Sequence, residues 1–299
     1  MIPVVLFVYK RTNTLAHTLA CLKANHVKQL IIFSDAPKTE SDVEGVRAVR
    51  EMVSAIDWCE KEIVLRENNV GLGRNIKDGL GTVFEHYEAA IVCEDDLEFV
   101  EGTIDYLTAA LEHYSDDVRV MSVTGFTNKH ITPGGVGDLP YFDGRFECML
   151  WGTWRRVWNH FSAHTARELM EMAKSQGENP YFWGGDLPYM AKVEIASNIW
   201  AVRMCYLHIY EHGLVLRPPW SMVNHIGWGN GATNACTKNW EYNGKLRSAP
   251  PLPEAWPNPV LNPMCAALHR KMYKRPWIDV FPTVVPIARR FLRSVGIKV

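Results

Sequence analysis

Three consecutive acids close an otherwise apolar run: Ala89-Ala90-Ile91-Val92-Cys93 leads straight into Glu94-Asp95-Asp96, followed by Leu97-Glu98. The run is short, partly β-branched and free of polar residues, so it reads as a buried strand. Carboxylates crowded at the end of such a strand repel one another and resist desolvation. A cation offsets both costs. Mn2+ and Mg2+ take oxygen ligands, and Mg2+ is commonly held by one or two carboxylates together with substrate phosphates. The chemistry suggested is a metal–diphosphate site. A solvated acidic turn is the other reading of the same residues.

The elements that must position these acids can be read from the first 130 residues, where apolar strands and amphipathic helices alternate. Strands are expected at Val4 to Tyr9, Gln29 to Ser34, Glu62 to Arg66, Ala89 to Cys93 and Val118 to Thr124. Helices are expected at Thr14 to Ala24, capped by Thr12 or Asn13, and at Glu40 to Ile56, Arg74 to His86 and Thr103 to Tyr114. Such alternation implies an α/β fold with a mostly parallel twisted sheet covered by helices on both faces. Ligands of these sheets bind outside the carboxyl ends of the strands. Arg11, Asp35 and the acid triplet all follow strands, and that convergence favours the site over the solvated turn.

Upstream of the acids stands Arg66-Glu67-Asn68-Asn69-Val70-Gly71-Leu72-Gly73-Arg74-Asn75-Ile76-Lys77-Asp78-Gly79-Leu80. With this stretch before Glu94-Asp95-Asp96-Leu97-Glu98, the chain resembles GT-A fold glycosyltransferases: the family 2 type and, more closely, the N-acetylglucosaminyltransferase I family and its bacterial relatives. The likeness covers about residues 3 to 127 well and 150 to 235 loosely, and does not extend to the last 60 or so. It implies a GT-A, Rossmann-like sheet. It also implies that Asp96 ligates Mn2+ or Mg2+, that Asp95 bonds the ribose of a nucleotide sugar and that Glu94 touches the donor sugar. By the same resemblance Asp35 reads the uracil edge, Arg11 lies against the nucleotide or its phosphates, and Arg74 and Asn75 line base and ribose. Arg11 and Arg74 carry the forked cationic donors a diphosphate needs, and Gly71 and Gly73 would let the backbone approach the nucleotide closely. Helix-start surface charge for Arg74 and a turn before Ala36-Pro37 for Asp35 remain open as alternatives.

Glycosyl transfer with inversion needs a base for the acceptor hydroxyl, a contribution of ~10²–10⁴-fold. Asp186, in Tyr181-Phe182-Trp183-Gly184-Gly185-Asp186-Leu187-Pro188, has apolar or small neighbours that suit a carboxylate at a pocket wall; a helix N-cap is the other reading. Glu147, shortly before Trp151-Gly152-Thr153-Trp154, is the second candidate. The stretch from Arg217 to Asn234 is rich in Gly and Asn, as a closing loop is, and its His225 is a candidate for the metal shell or the diphosphate, with a plain loop or core histidine as the alternative. Aromatic residues crowd the chain from Tyr141 to Trp183, mostly as expected core.

Organisation then reads as a nucleotide-sugar-binding half at 1–130, an acceptor-side half of the same domain at 131–260 and a helical basic tail at 261–299. The tail carries Arg289-Arg290-Phe291-Leu292-Arg293, a pattern for peripheral membrane contact or for a packing helix with a solvated basic face. A formal charge of -1 over 299 residues gives no support to nucleic acid as a partner. Seven scattered Cys, an odd number with no C-x-x-C, argue against a disulfide framework or a structural zinc site and fit a reducing compartment better. The N-terminal Met1 to Tyr9 lacks a basic n-region and reads as a first strand, not a signal peptide. No apolar stretch reaches the roughly 18 residues of a membrane span. Together these readings give the expectation of a cytoplasmic enzyme, peripheral at the inner membrane face if the tail binds lipid. The expected activity is metal-dependent, inverting transfer of a hexosyl or N-acetylhexosaminyl group from a nucleotide sugar, UDP-linked, to a glycan or lipid-linked acceptor in surface polysaccharide assembly. The rival classes are a nucleotidyltransferase on a related sheet, for which Phe7-Val8-Tyr9-Lys10-Arg11 lacks the glycines, and a non-catalytic nucleotide- or carbohydrate-binding module.

Overall fold

Four apolar runs build one half of the central sheet in the computed structural model, which describes residues 1–228 and 243–274. They are β1 (Val4–Val8), β2 (Gln29–Ser34), β3 (Glu60–Leu65) and β4 (Ala89–Glu94), parallel in the order β3-β2-β1-β4. β1 is buried along its length, and β4 along all but its last residue. β3 is the edge strand, and Glu60, Lys61 and Glu62 keep it exposed and charged, which discourages pairing with another chain. The crossovers are α1 (Thr12–Ala24), α2 (Val43–Ser54) and α3 (Leu72–His86). α2 buries Val46, Val49 and Val53, and α3 buries Ile76, Leu80, Val83 and Phe84, the apolar stripes that a 3.6-residue period places on one face.

The remaining strands and helices complete an eight-stranded sheet in the order β3-β2-β1-β4-β8-β6-β9-β7. After β5 (Leu97–Phe99) come α4 (Thr103–His113), β6 (Val120–Thr124), β7 (Tyr141–Asp143) and β8 (Trp151–Trp154). α5 (Arg155–Ala163), α6 (Ala166–Ser175), α7 (Leu187–Val193) and α8 (Ala201–Tyr210) precede β9 (Leu214–Arg217), β10 (Val223–His225) and α9 (Cys265–Met272). β8 runs antiparallel between β4 and β6, so β6 points the same way as β4 and shares its carboxyl edge. β9 is parallel to β6, and β7 closes the far edge antiparallel. This is a mixed α/β architecture with a mostly parallel sheet flanked by helices, as the alternation predicts. Outside it, β5 and β10 form a two-stranded antiparallel ribbon with Leu97 opposite His225.

Two local expectations are corrected. The chain leaves β1 extended through Arg11, so α1 starts at Thr12 with Arg11 itself as N-cap, and the Arg11 carbonyl accepts the first helical bond from Leu15 at 3.2 Å. Thr12 and Asn13 lie inside the helix. The helix expected from Glu40 opens instead with a 3-10 turn, Glu40–Asp42. There Asp42 accepts bonds from the Thr39 backbone, the Tyr9 hydroxyl and the Lys10 ammonium, which hold it out of helical register.

Most aromatic residues of the second half are core. Trp151, Trp154, Trp158 and Trp183 are buried, Trp158 stacks on Phe161 at 4.2 Å, and Trp151 stacks on Trp200 at 5.3 Å. Such pairs add ~0.5–1.5 kcal/mol beyond area burial. Among the described residues no helix is long and apolar enough to cross a membrane. The basic tail beyond Lys274 and the loop residues Gly229 to Asn234 lie outside the described residues.

Candidate active site

The acid triplet, Arg11 and Asp35 meet at the carboxyl ends of β1, β2 and β4, where they line one cleft together with Asn75, His225 and Gly227. Asp95 and Asp96 follow β4 directly and are buried. Asp95 Oδ2 accepts the Tyr9 backbone N–H at 2.9 Å, which ties the end of β4 to the end of β1. Asp96 Oδ2 faces Arg11 Nη2 at 2.5 Å and His225 Nε2 at 3.1 Å. Arg11 also reaches Asp95 Oδ1 at 3.4 Å and donates from Nη1 to the Gly227 carbonyl at 3.0 Å. One guanidinium thus joins the acids to the 225–228 segment. Gly227 is required there because a Cβ would stand 2.1 Å from Asp96 Oδ2.

The three carboxyls are not equivalent. Burial, then the neighbouring charges of Asp96 and Asp95, push Glu94 up to about 8 although it keeps partial access to the cleft. Burial and the Asp96 charge push Asp95 up to about 6, with Arg11 pulling the other way. Burial opposes ionisation of Asp96 too, but the His225 hydrogen bond and the charges of His225 and Arg11 outweigh it and hold that carboxyl below its ordinary range. Asp96 is therefore the one anchored as an anion, while burial and the neighbouring acids favour the protonated form of Glu94 and, less strongly, of Asp95.

A cation suits this set. Asp96 with adjacent His225 supplies an oxygen and a nitrogen donor side by side, and the His225 Nδ1 is buried without a hydrogen-bond partner. Among the described residues no three His, Cys, Asp or Glu side chains form a cage that could hold a metal by protein ligands alone.

Asp35 ends β2 and acts on the backbone around it. Its Oδ1 accepts N–H bonds from Ala36 at 2.9 Å and Val70 at 3.0 Å, and its Oδ2 accepts from Gly71 at 2.8 Å and the Asn69 side chain at 3.1 Å. Four donors fill the ~four acceptor positions of a carboxylate. Asp35 therefore shapes the 69–71 loop into the cleft wall, and in this arrangement has no lone pair left for a uracil edge. Gly71 has φ +75°, a left-handed conformation that L side chains rarely adopt. Gly71 and Gly73 lie against Asn198, whose Nδ2 and carbonyl would meet added Cβ atoms at 2.1 and 2.3 Å. Their smallness serves this contact, and not only the approach of a nucleotide. Asn75 is buried in the cleft and accepts from Arg66 Nε at 2.9 Å.

Three expected residues are placed elsewhere. Arg74 is exposed on α3, paired with Asp78 at 3.2 Å one turn on, and does not line the cleft. The cause is helical phase: Asn75, one position later, takes the inward face. Asp186 is gripped by Arg145 through two hydrogen bonds, at 2.9 and 2.7 Å, and neither it nor Glu147 lines the cleft. As the residue before α7, Asp186 makes no side-chain cap bond either. Glu147 is buried, 3.8 Å from Arg217, and next to Cys148, a thiol pushed up by burial and then by the fields of Glu147 and Glu94 together. Sequence reasoning missed Lys10, Lys38, Asn69, Ser197 and Asn198, all on the cleft wall. Asn69 lay inside the quoted Gly-rich stretch and could have been found. Ser197 and Asn198 follow α7 and carry no local signal.

No known protein-family model matches the chain, and no curated protein matches it. Among solved structures, a mannosyltransferase from Pyrobaculum calidifontis in complex with GDP-Man and Mn2+ is similar at 14% identity and a TM-score of 0.42. The superposition covers 78% of this chain and 59% of that one, so the chain spans less than two thirds of that protein's length.

Proposed function

We propose that the chain is a metal-dependent glycosyltransferase that moves a sugar, with inversion, from a UDP-linked donor to a hydroxyl of a glycan or glycolipid. The observation that carries the reading is the meeting of Asp96, His225 and Arg11 within hydrogen-bond reach at the sheet edge, beside a loop that Asp35 holds open. A mixed set of acids and a guanidinium in one cleft suits a cation with a diphosphate, and the neighbouring wall of Asn69, Gly71 and Asn75 has the polar groups a base and ribose need.

In this reading Asp96 and His225 hold Mn2+ or Mg2+, which when bound supplies Lewis-acid stabilisation to the leaving diphosphate. Arg11 turns its forked donors to the phosphates. Asp95 orients the ribose, and Glu94, reaching the cleft from the end of β4, meets the donor sugar. A carboxylate takes the acceptor proton as the acceptor oxygen bonds to the anomeric carbon and the bond to the diphosphate breaks. Neither carboxylate singled out in the sequence lines the cleft: Asp186 is committed to Arg145 by two bonds, and Glu147 is buried 3.8 Å from Arg217.

Thermal unfolding with a panel of nucleoside diphosphates, in Mn2+ or in EDTA, tests the reading. Ligand that binds only the folded state raises the midpoint by mass action. A Mn2+-dependent rise with UDP, absent in Asp96→Ala, is expected. No rise with any nucleotide would overturn the proposal and return the acids to a structural role.

A further inference from the structure

A second cavity, about 420 Å³, opens between the segment after β6 and the end of α9. Four of its lining residues are basic: Lys129, His130, Lys271 and Lys274, while Leu268 and Met272 form an apolar wall. Among the described residues no acidic side chain lines it. Some surface basic side chains are matched with acids, as in Lys10–Asp42, Arg47–Glu44, Arg119–Asp117 and Lys174–Glu171. Among the described residues, none of the three pocket lysines has a carboxylate within 4.0 Å, although the chain as a whole is balanced at a formal charge of -1. The Nε2 of His130 is also buried without a hydrogen-bond partner. A buried polar atom left unmet is destabilising, and a ligand atom at that position removes the cost.

The place of this pocket matters as much as its charge. β6 runs in the direction of β4, so Lys129 and His130, just beyond its carboxyl end, share the sheet edge that carries the acid triplet. They stand on the β6–β9–β7 half, away from the donor cleft on β1, β2 and β4. We infer that this pocket binds a phosphate group carried by the acceptor. The inference rests on the glycosyltransferase reading for the word acceptor, while the phosphate site stands on the pocket alone. Lysine ammonium groups meet phosphate as mobile point charges, His130 Nε2 adds a directed contact, and the wall of Leu268 and Met272 accommodates an apolar portion of the same molecule.

The test is calorimetric titration of inorganic pyrophosphate into the full chain in EDTA, where a cation-assisted diphosphate site is silent. Wild type is compared with Lys129→Glu/Lys271→Glu and with Asp96→Ala. Lys129 and Lys271 are exposed and, among the described residues, have no carboxylate within 4.0 Å, so their replacement leaves the fold and the Mn2+-dependent UDP protection intact. The expected result is binding by wild type and Asp96→Ala, weakened at least about tenfold in the lysine variant, the equivalent of one charge-assisted hydrogen bond. Equal pyrophosphate affinity in wild type and lysine variant, or no binding by wild type, overturns the inference, and UDP protection reports on the donor reading independently. Flotation with phosphatidylcholine vesicles, with and without phosphatidic acid, then separates the sources. Lysine-dependent capture by phosphatidic acid supports a lipid-borne phosphate. Competition of pyrophosphate by glucose 1-phosphate, without vesicle capture, supports a soluble sugar phosphate. Failure of both to depend on the lysines overturns an acceptor phosphate.

Discussion

His225 Nε2 stands 3.1 Å from Asp96 Oδ2 although 129 positions separate them in the chain. The ribbon of β5 and β10 makes the approach: His225 pairs with Leu97, the residue after Asp96, and Ile226 donates its N–H to the Asp96 carbonyl at 2.8 Å. The ring is fixed further by Trp228, edge-on at 4.6 Å, whose indole N–H donates to the His225 carbonyl at 2.8 Å. His225→Ala should therefore weaken Mn2+-dependent nucleotide binding roughly 10–100-fold, the range seen when a group supporting a metal is removed. Calorimetry of UDP in Mn2+ measures it, and an affinity equal to wild type would remove His225 from the site.

Asp35→Ala leaves the N–H groups of Ala36, Val70 and Gly71 and the Asn69 amide without their acceptor. A fully buried group so abandoned, as the Ala36 N–H is, costs ~1–3 kcal/mol, and the half-buried Asn69, Val70 and Gly71 donors less each. Urea unfolding should show a loss of several kcal/mol, and nucleotide binding should fail with it because the loop no longer shapes the wall. Preserved stability would mean that the loop finds other partners.

Gly227→Ala is a sharper probe. The new Cβ would lie 2.1 Å from Asp96 Oδ2 and 2.7 Å from Arg11 Nη1, two groups already locked to each other. The segment must move away from the acids. We expect nucleotide affinity to drop about tenfold or more, with a loss of about 1–3 kcal/mol in unfolding free energy, as for overpacking at a buried position. A variant that binds like wild type would show the segment free to shift without consequence.

Asp186 and Arg145 should behave as a structural couple. Arg145 also covers the Tyr273 ring at 3.9 Å and donates to the Trp183 carbonyl at 2.7 Å, so losing Asp186 strands a buried guanidinium. Removing one partner of such a pair costs about 3–5 kcal/mol, discounted here because Asp186 keeps some exposure. Asp186→Ala should destabilise by about 3 kcal/mol, and Arg145→Met on top should add little, a coupling that a double-mutant cycle reads directly. Additive losses would contradict the pairing.

Acid should weaken the fold through His208. Burial pushes it down to about 4, against its hydrogen bond to the Met204 carbonyl, while the ordinary value is 6.5. Between those values the unfolded chain binds the extra proton, so stability rises with pH across the window. The contribution is complete above 6.5 and is lost as pH falls toward 4. Its size is on the order of 3 kcal/mol. Urea unfolding at both ends of the window should show this dependence in wild type and much less of it in His208→Gln.

How much of this could be read from residues alone depends on distance along the chain. β2 was legible to the residue, and β1, β4 and α3 to within a position or two, because each is a local apolar pattern whose period dictates which face is buried. The acid triplet was legible for the same reason: buried strand and acids are contiguous. Strand direction then placed Arg11 and Asp35 at the same edge. Tertiary structure alone decided the rest. β8 slips antiparallel between β4 and β6, which no local period specifies. The phase of α3 turns Asn75 inward and Arg74 outward. Arg145 claims Asp186, and Asn198 comes from 124 positions away to bond Arg74's backbone N–H and pack on Gly71 and Gly73. Local pattern states which side of an element is apolar; which charged partner stands opposite a side chain is set by long-range packing, where one ion pair or one close backbone contact outweighs every local preference.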